Sequence, residues 1–301
     1  MDGLISLNGQ QMTPENAKIS VLDRGFLFGD NVFEVLVGFG QHVLDLEPHL
    51  ARLRHSASIH NIPIPWTNDQ LRFEINSLVA QLPHPKKYIR LVITRGESIG
   101  LAAPENCEPN RIIYVLPAKR EPAKTYNEGL RLRRKSLGFT ERGPAAKTGN
   151  YLRSITALTE ARHAGFDDVL WSNSEGEFTE ATTSNIFFIG RTGDLVEIAT
   201  PPPRSGLLLG ITRNRIIELL NHAQIPVTER MITVDELARF DEAFLCSTVR
   251  GLVPIAAIDR HSLHTVRPNA VFHHIRRLYL TWLESQIGLR VDWNTGEPLT
   301  Q

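Results

Sequence analysis

Lys147 stands in PAAKTGNYL, between a strand-turn segment and the start of a helix. A lysine placed there projects from a fixed backbone, and partial burial would lower its pKa so that a neutral amine can attack a carbonyl, as a Schiff base requires. An exposed turn lysine is the plain alternative. In LLLGITRNRIIELL, Gly210, Ile211 and Thr212 fall at a helix N-terminus, where free N–H groups and the helix dipole favour a phosphate. Equally, Gly210 ends a turn and Thr212 caps the helix. CSTVRG sets Ser247 and Thr248 after a strand, able to offer hydroxyl and backbone donors to the same anion or simply to turn the chain. Arg52, in HLARLRH, lies one position off the apolar stripe of its helix, so its planar fork can turn inward to a phosphate or outward to solvent. Glu180, in EFTEATTSNIFFI, precedes a strand that is apolar from Ile186 onward; it could keep a pyridinium nitrogen protonated, against the default of an exposed strand-edge acid.

Other signals fail on spacing. Gly38-Phe39-Gly40 has no third glycine and no following helix, so a dinucleotide fingerprint is absent. RLRRK at 131–135 lacks interleaved aromatics and reads as a solvated strand face. The histidines include no H-E-x-x-H, and Cys107 and Cys246 show neither C-x-x-C nor zinc spacing; no metal site and no disulfide framework are expected. Lys plus Arg and Asp plus Glu both number 33, so no overall field attracts nucleic acid or an anionic membrane. MDGLISLNGQ has no signal-peptide character and no apolar run approaches a membrane span, so a cytoplasmic enzyme or binding protein is expected.

The elements that must carry these residues are legible in outline. LISLNG, VFEVLVGFG and HVLDL open a mostly antiparallel sheet. Apolar spacing predicts a helix from Leu46 to His60, and Thr67 with Gln70 forms a capping box ahead of a second. YIRLVITRG and RIIYVLPA read as strands. KREPAKTYNEG is polar and holds Pro and Gly, which sets domains at 1–119 and 128–301 with a linker at 120–127. The second domain reads as the strand LRLRRKSLG, a helix over 150–163 with Leu152, Ile155, Leu158 and Ala161 at helical spacing, and a meander through DVLWSN, TSNIFFIG and DLVEI. A helix near 211–223, a capping box at Thr233 and Glu236, the strand EAFLCST and a packing helix carrying Phe272, Ile275, Tyr279, Trp282 and Leu283 complete it.

The order and spacing of DRGFLFGDNVFEV, HLARL, KTGNYL, EFTEATTSNIFFI and LLLGITR closely resemble the class IV pyridoxal-phosphate aminotransferases, from about Ile5 to Val253. The resemblance implies an α/β chain of the α+β type, fold type IV, with two α/β domains and the active site in the interdomain cleft. It implies pyridoxal 5′-phosphate as cofactor, on Lys147 as the catalytic internal aldimine. Arg52, the Gly210, Ile211 and Thr212 segment, Ser247 and Thr248 would take the phosphate, Glu180 the pyridine nitrogen, and Leu209 and Tyr151 would pack around the cofactor. A freed Lys147 amine would then shuttle the proton between substrate α-carbon and cofactor carbon.

On the substrate side, Tyr88 and Arg90 alternate with Ile89 and so face one side of a strand. With Tyr151 they resemble the branched-chain amino-acid aminotransferases, which adds Phe33 and Val249 as substrate-side residues and implies a hydrophobic L-amino-acid donor, 2-oxoglutarate as acceptor and a homodimer. The R-x-H element of D-amino-acid aminotransferases is missing from GESIGLAAPEN, while Phe28 and Val35 stand where branched-chain enzymes usually show Tyr and Gly. The alternatives on the same scaffold are a D-amino-acid or amine transaminase and a 4-amino-4-deoxychorismate lyase; outside it, a non-catalytic phosphoester-binding protein.

Overall fold

The computed structural model of the chain describes residues 2–140, 143–193, 195–292 and 295–299. It divides into two compact units, one formed by the chain up to Lys119 together with Ala146–Tyr151, the other by Arg120–Ala145 and Leu152–Leu299.

The first unit is built on β1 (Leu4–Leu7), β2 (Gln10–Met12), β3 (Asn31–Phe39), β4 (His42–Val43), β5 (Lys86–Thr94) and β6 (Asn110–Pro117), in the order β2-β1-β6-β5-β3-β4. Every neighbouring pair is antiparallel. Side-chain alternation gives the sheet two different faces. Val32, Leu36, Ile89, Leu91, Ile93 and Val115 pack with Leu50 and Leu53 of α2 (Leu46–Ile59) and Leu71 and Ile75 of α3 (Asn68–Gln81). The residues between them, Phe33, Val35, Val92 and Tyr114, belong to a smaller cluster on the opposite side with Ile5, Ile112 and Tyr151. The start of α3 follows from its sequence, because the Thr67 and Gln70 side chains each take the other's backbone N–H. A short α1 (Arg24–Phe28) precedes β3.

The second unit begins where a linker is expected, yet residues 120–127 are not a bare tether. They enter α4 (Ala123–Glu128), whose Tyr126 is buried in the unit's core and donates its hydroxyl to the Arg250 carbonyl at 3.1 Å. Polar composition marked the break, and one aromatic anchor folds it down. The sheet comprises β7 (Leu130–Ser136), β8 (Asp168–Ser172), β9 (Phe178–Ala181), β10 (Asn185–Thr192), β11 (Leu195–Thr200), β12 (Val227–Glu229), β13 (Phe240–Ser247) and β14 (Gly251–Ile258), in the order β12-β11-β10-β13-β14-β7-β8-β9, with β15 (His261–Ser262) on β14. Pairing is parallel between β14, β7 and β8 and between β11 and β12, and antiparallel elsewhere. Phe178, Ile186, Phe188, Phe240, Leu245 and Ile255 fill its core. The expected packing helix is α7 (Val271–Ile287), which buries Phe272, Ile275, Tyr279 and Leu283 and ends on Gly288 in the left-handed conformation.

Two expectations shift. The helix expected over 150–163 is α5 (Leu152–His163), and it buries Ala157 and Ala161 while leaving Leu152 and Ile155 exposed. It starts late because the residues before it are bonded elsewhere: Ala146–Tyr151, expected in the second half, joins the first unit through backbone bonds to β3. Among the described residues no helix is long and apolar enough to cross a membrane.

Candidate active site

Lys147 is held by its backbone at both ends. Its N–H donates to Ser56 Oγ of α2 at 3.0 Å, and its carbonyl accepts from the Phe33 N–H of β3 at 3.0 Å. Thr148 bridges to Val32, and Gly149 N–H reaches the Asn31 carbonyl at 3.3 Å. Gly149 is needed for this approach, since a Cβ there would lie 2.5 Å from the Asn31 amide nitrogen. The lysine side chain is half-buried with Nζ 4.6 Å from the centre of the Phe33 ring.

On the helix-facing side of β3, Arg52 turns inward. Its fork meets the Glu34 carboxylate through Nε to Oε1 and Nη2 to Oε2, both 2.7 Å, and His49 Nδ1 lies 2.7 Å from Oε2. Glu34 and His49 are fully buried, among the leucines of α2. Burial pushes the Glu34 carboxyl up, but the hydrogen bond and charge of Arg52 and the hydrogen bond from His49 outweigh it and hold the pKa at about 2. For His49 burial dominates and lowers the pKa, so the ring is neutral and donates from Nδ1.

On the other side of β3, an aromatic surface carries the Arg90 cation. The Arg90 guanidinium stacks 3.9 Å over the Phe33 ring, whose centre is 5.6 Å from that of Tyr151. Cross-strand register sets Arg90 between Val35 and Tyr114. Burial raises the Tyr114 pKa, the Arg90 charge opposes it and Tyr88 adds to it, so this phenol stays protonated. Tyr88 and Arg90 are both half-buried between buried Ile89 and Leu91.

In the second unit Glu180 lies on β9, and Asn185 at the start of β10 ties it down. Asn185 Nδ2 donates to Glu180 Oε2 at 3.1 Å and to the Leu208 carbonyl at 2.9 Å. This links the carboxylate to the Leu207–Gly210 turn and hence to α6 (Ile211–His222), whose N-cap is Gly210 and carries no side-chain capping bond. Gly210 has a φ of −70°, open to any residue, so its glycine is a matter of space: a Cβ would overlap Asn185 Oδ1. Gly210→Ala is expected to displace Asn185 and cost about 1–3 kcal/mol, the usual penalty for overpacking. A calorimetric midpoint equal to wild type would mean that Asn185 turns aside freely. Ser247 ends β13, and Thr248, Val249 and Arg250 form the turn to Gly251, pinned by Arg250 Nη2 on Ser184 Oγ at 2.8 Å.

In the first unit Lys147, Arg52, Phe33, Tyr88, Arg90 and Tyr151 thus gather around β3. In the second, Glu180 and Leu209 to Thr212 are joined through Asn185, and Ser247 to Val249 sit on one hairpin. Sequence reasoning missed Glu34, His49, Ser56 and Asn185. The signal available for Ser56 was its position four residues after Arg52, a small polar residue beside Leu53 and Ala57 of the apolar stripe.

A family model described as amino-transferase class IV matches residues 31–258, more than half of the chain. A Methanocaldococcus jannaschii protein provisionally named a branched-chain-amino-acid aminotransferase is 34% identical over 260 residues, covering 85% of this chain and 88% of its own. The D-alanine aminotransferase of Bacillus licheniformis is 25% identical over 279 residues, covering 90% and 94%. Among solved structures, the branched-chain aminotransferase of the thermophilic archaeon Thermoproteus uzoniensis with norvaline superposes with a TM-score of 0.80 at 29% identity, covering 95% of this chain and 95% of that one. The geometry around Lys147 and the extent of these matches agree: this chain belongs to the class IV aminotransferases, with their fold type IV architecture.

Proposed function

We propose that the enzyme uses pyridoxal 5′-phosphate to move an amino group from a hydrophobic or branched-chain L-amino acid to 2-oxoglutarate in a ping-pong cycle. The observation that carries this reading is the Arg90 guanidinium stacked on Phe33 beside Tyr88 and Tyr114, a half-buried cation set in an aromatic surface. Such a surface can take an aliphatic side chain in one half-reaction and the distal carboxylate of a 2-oxo diacid in the other. Val35 stands opposite Arg90 in the register.

The donor set suits the cofactor. Lys147 would carry the amine that holds it, and Arg52, the Ile211 and Thr212 amides, Gly210, Ser247 and Thr248 would receive the phosphate; a helix whose N-cap is glycine, with no side-chain capping bond, is suited to an anion. Glu180, oriented by Asn185, would pair with the pyridine nitrogen, while Leu209 and Tyr151 would pack around the cofactor and Val249 would serve the substrate. When bound, the cofactor supplies an electron sink. The protein would supply the base: Lys147 Nζ would take the proton from the substrate α-carbon, and the Glu180 carboxylate would favour positive charge on the ring nitrogen.

A homodimer fits the same reading. Arg24 donates to the Gly100 and Leu101 carbonyls and so holds a loop on which Ile99 and Leu101 are about four-fifths exposed, and Val21 and Phe26 of the same unit are also outward.

Arg90→Ala is expected to impair the half-reaction with 2-oxoglutarate by about 10- to 100-fold while slowing that with L-leucine far less, because only the former loses a charged contact. Single-turnover absorbance changes with each partner measure both halves. Equal slowing of the two halves, or D-alanine outpacing every L-donor in the wild type, would overturn the branched-chain assignment and favour a D-amino-acid transaminase.

A further inference from the structure

Helix α2 turns His49, Arg52 and Ser56 toward β3, at spacings of three and four residues and so on one face. Two consecutive residues of β3 meet this machinery from its two faces. Glu34 takes the Arg52 fork, while Phe33 gives its N–H to the Lys147 carbonyl and Ser56 accepts the Lys147 N–H. The guanidinium and the lysine backbone are therefore both referred to one helix, at residues four apart, a rise of about 6 Å along its axis.

Ser56 has no solvent exposure. A serine there is out of place on packing grounds, because the neighbouring positions Leu53 and Ala57 belong to the apolar core. Its hydroxyl is accounted for by the Lys147 amide, which lies two residues past Ala145, where the chain leaves the second unit. The other bonds of the segment to β3 fall on its C-terminal side, at the Lys147 carbonyl, Thr148 and Gly149, and the Gly149 bond is long at 3.3 Å.

We propose that Ser56 is a positioning residue for Lys147, setting the place of the lysine relative to Arg52 through α2 so that the two ends of the cofactor meet partners already spaced to receive them. This rests on the reading of Lys147 and Arg52 given above. Ser56 touches neither substrate nor cofactor; it acts through the backbone of the lysine. Without the hydroxyl, the part-buried Lys147 N–H loses the acceptor on α2 and the segment relaxes, so attachment of the aldehyde to Nζ must first restore its position, whereas phosphate binding is untouched.

The test uses apo-protein and two probes, pyridoxal 5′-phosphate and 4′-deoxypyridoxine 5′-phosphate, which has the phosphate but no aldehyde. Ser56→Ala is expected to raise the Kd for the aldehyde probe about tenfold, in the range that loss of one hydrogen bond costs, while the deoxy probe stays within about twofold of wild type. Ser56→Thr keeps a hydroxyl acceptor and should keep the wild-type ratio of the two constants. Should the alanine variant not fold, Ser56→Cys, close in size and a weak acceptor, should shift the ratio in the same direction. An unchanged ratio in Ser56→Ala, or equal weakening of both probes, overturns the proposal and leaves Ser56 a packing residue. Lys147→Ala separates this from failure of the lysine reading: if borohydride still fixes the aldehyde probe to that variant, the lysine has been misassigned and the ratio has no bearing on it.

Discussion

Lys147→Ala is expected to bind the cofactor but to lose borohydride labelling of the peptide spanning residue 147, and to transaminate about 10²–10⁴-fold more slowly, the range contributed by one positioned acid–base group. The structure gives a physical reason to expect loss of chemistry rather than loss of fold. What holds this segment to β3 and α2 is backbone, at the Lys147 N–H, the Lys147 carbonyl and Thr148, so truncating the side chain leaves those bonds in place. The side chain itself is half-buried over Phe33, and its removal forfeits one cation–π contact at 4.6 Å. A small amine such as methylamine should then restore part of the rate, because it supplies the missing proton carrier without repairing any packing. Wild-type labelling on another lysine, or full activity in Lys147→Ala, would remove Lys147 from the mechanism.

How far the site could be read from the residues alone depends on how local each determinant is. The capping box at Thr67, the helix start after Gly210 and the αL stop at Gly288 are set within a few residues of sequence, and the structure has them where the sequence puts them. The Tyr88 and Arg90 alternation is likewise local, and their half-buried setting between Ile89 and Leu91 follows from strand period alone. What was not legible is who meets whom across the chain. Arg52 was readable as an arginine able to turn inward, but its partner Glu34 lies 18 residues away on a strand, and nothing in VFEVLV says what its single polar residue meets. Glu180 was readable through its motif, and Asn185 was not, because its work is to join Glu180 to the Leu208 carbonyl, which lies 23 residues beyond Asn185 itself. The α5 stripe misled for a related reason: helical spacing identifies a face but not what the face meets, and here the small residues Ala157 and Ala161 pack inward while Leu152 and Ile155 are left outside.

Glu34→Gln is expected to lower the unfolding free energy of the apo-protein by about 3–5 kcal/mol at pH 7, the cost of breaking a buried ion pair from one side. An amide in that place keeps one acceptor oxygen but turns an N–H group against donors from Arg52 or His49, so the loss exceeds that of a charge alone. The same group makes stability depend on pH with a definite sign. Its folded pKa of about 2 lies below the ordinary 4.5, so its contribution, roughly 3 kcal/mol from that difference, is complete above about pH 4.5 and is lost as the pH falls toward 2. His49, whose pKa is lowered by burial, acts in the same direction from higher pH, since its neutral ring must take up a proton that the unfolded chain accepts near its ordinary 6.5. Urea unfolding of wild type and variant at pH 7, 5 and 3 should therefore show two curves that converge on acidification, the wild type losing what the variant never had. Curves that stay parallel across that range would mean that Glu34 is not the carboxylate on which the Arg52 side of the site is built.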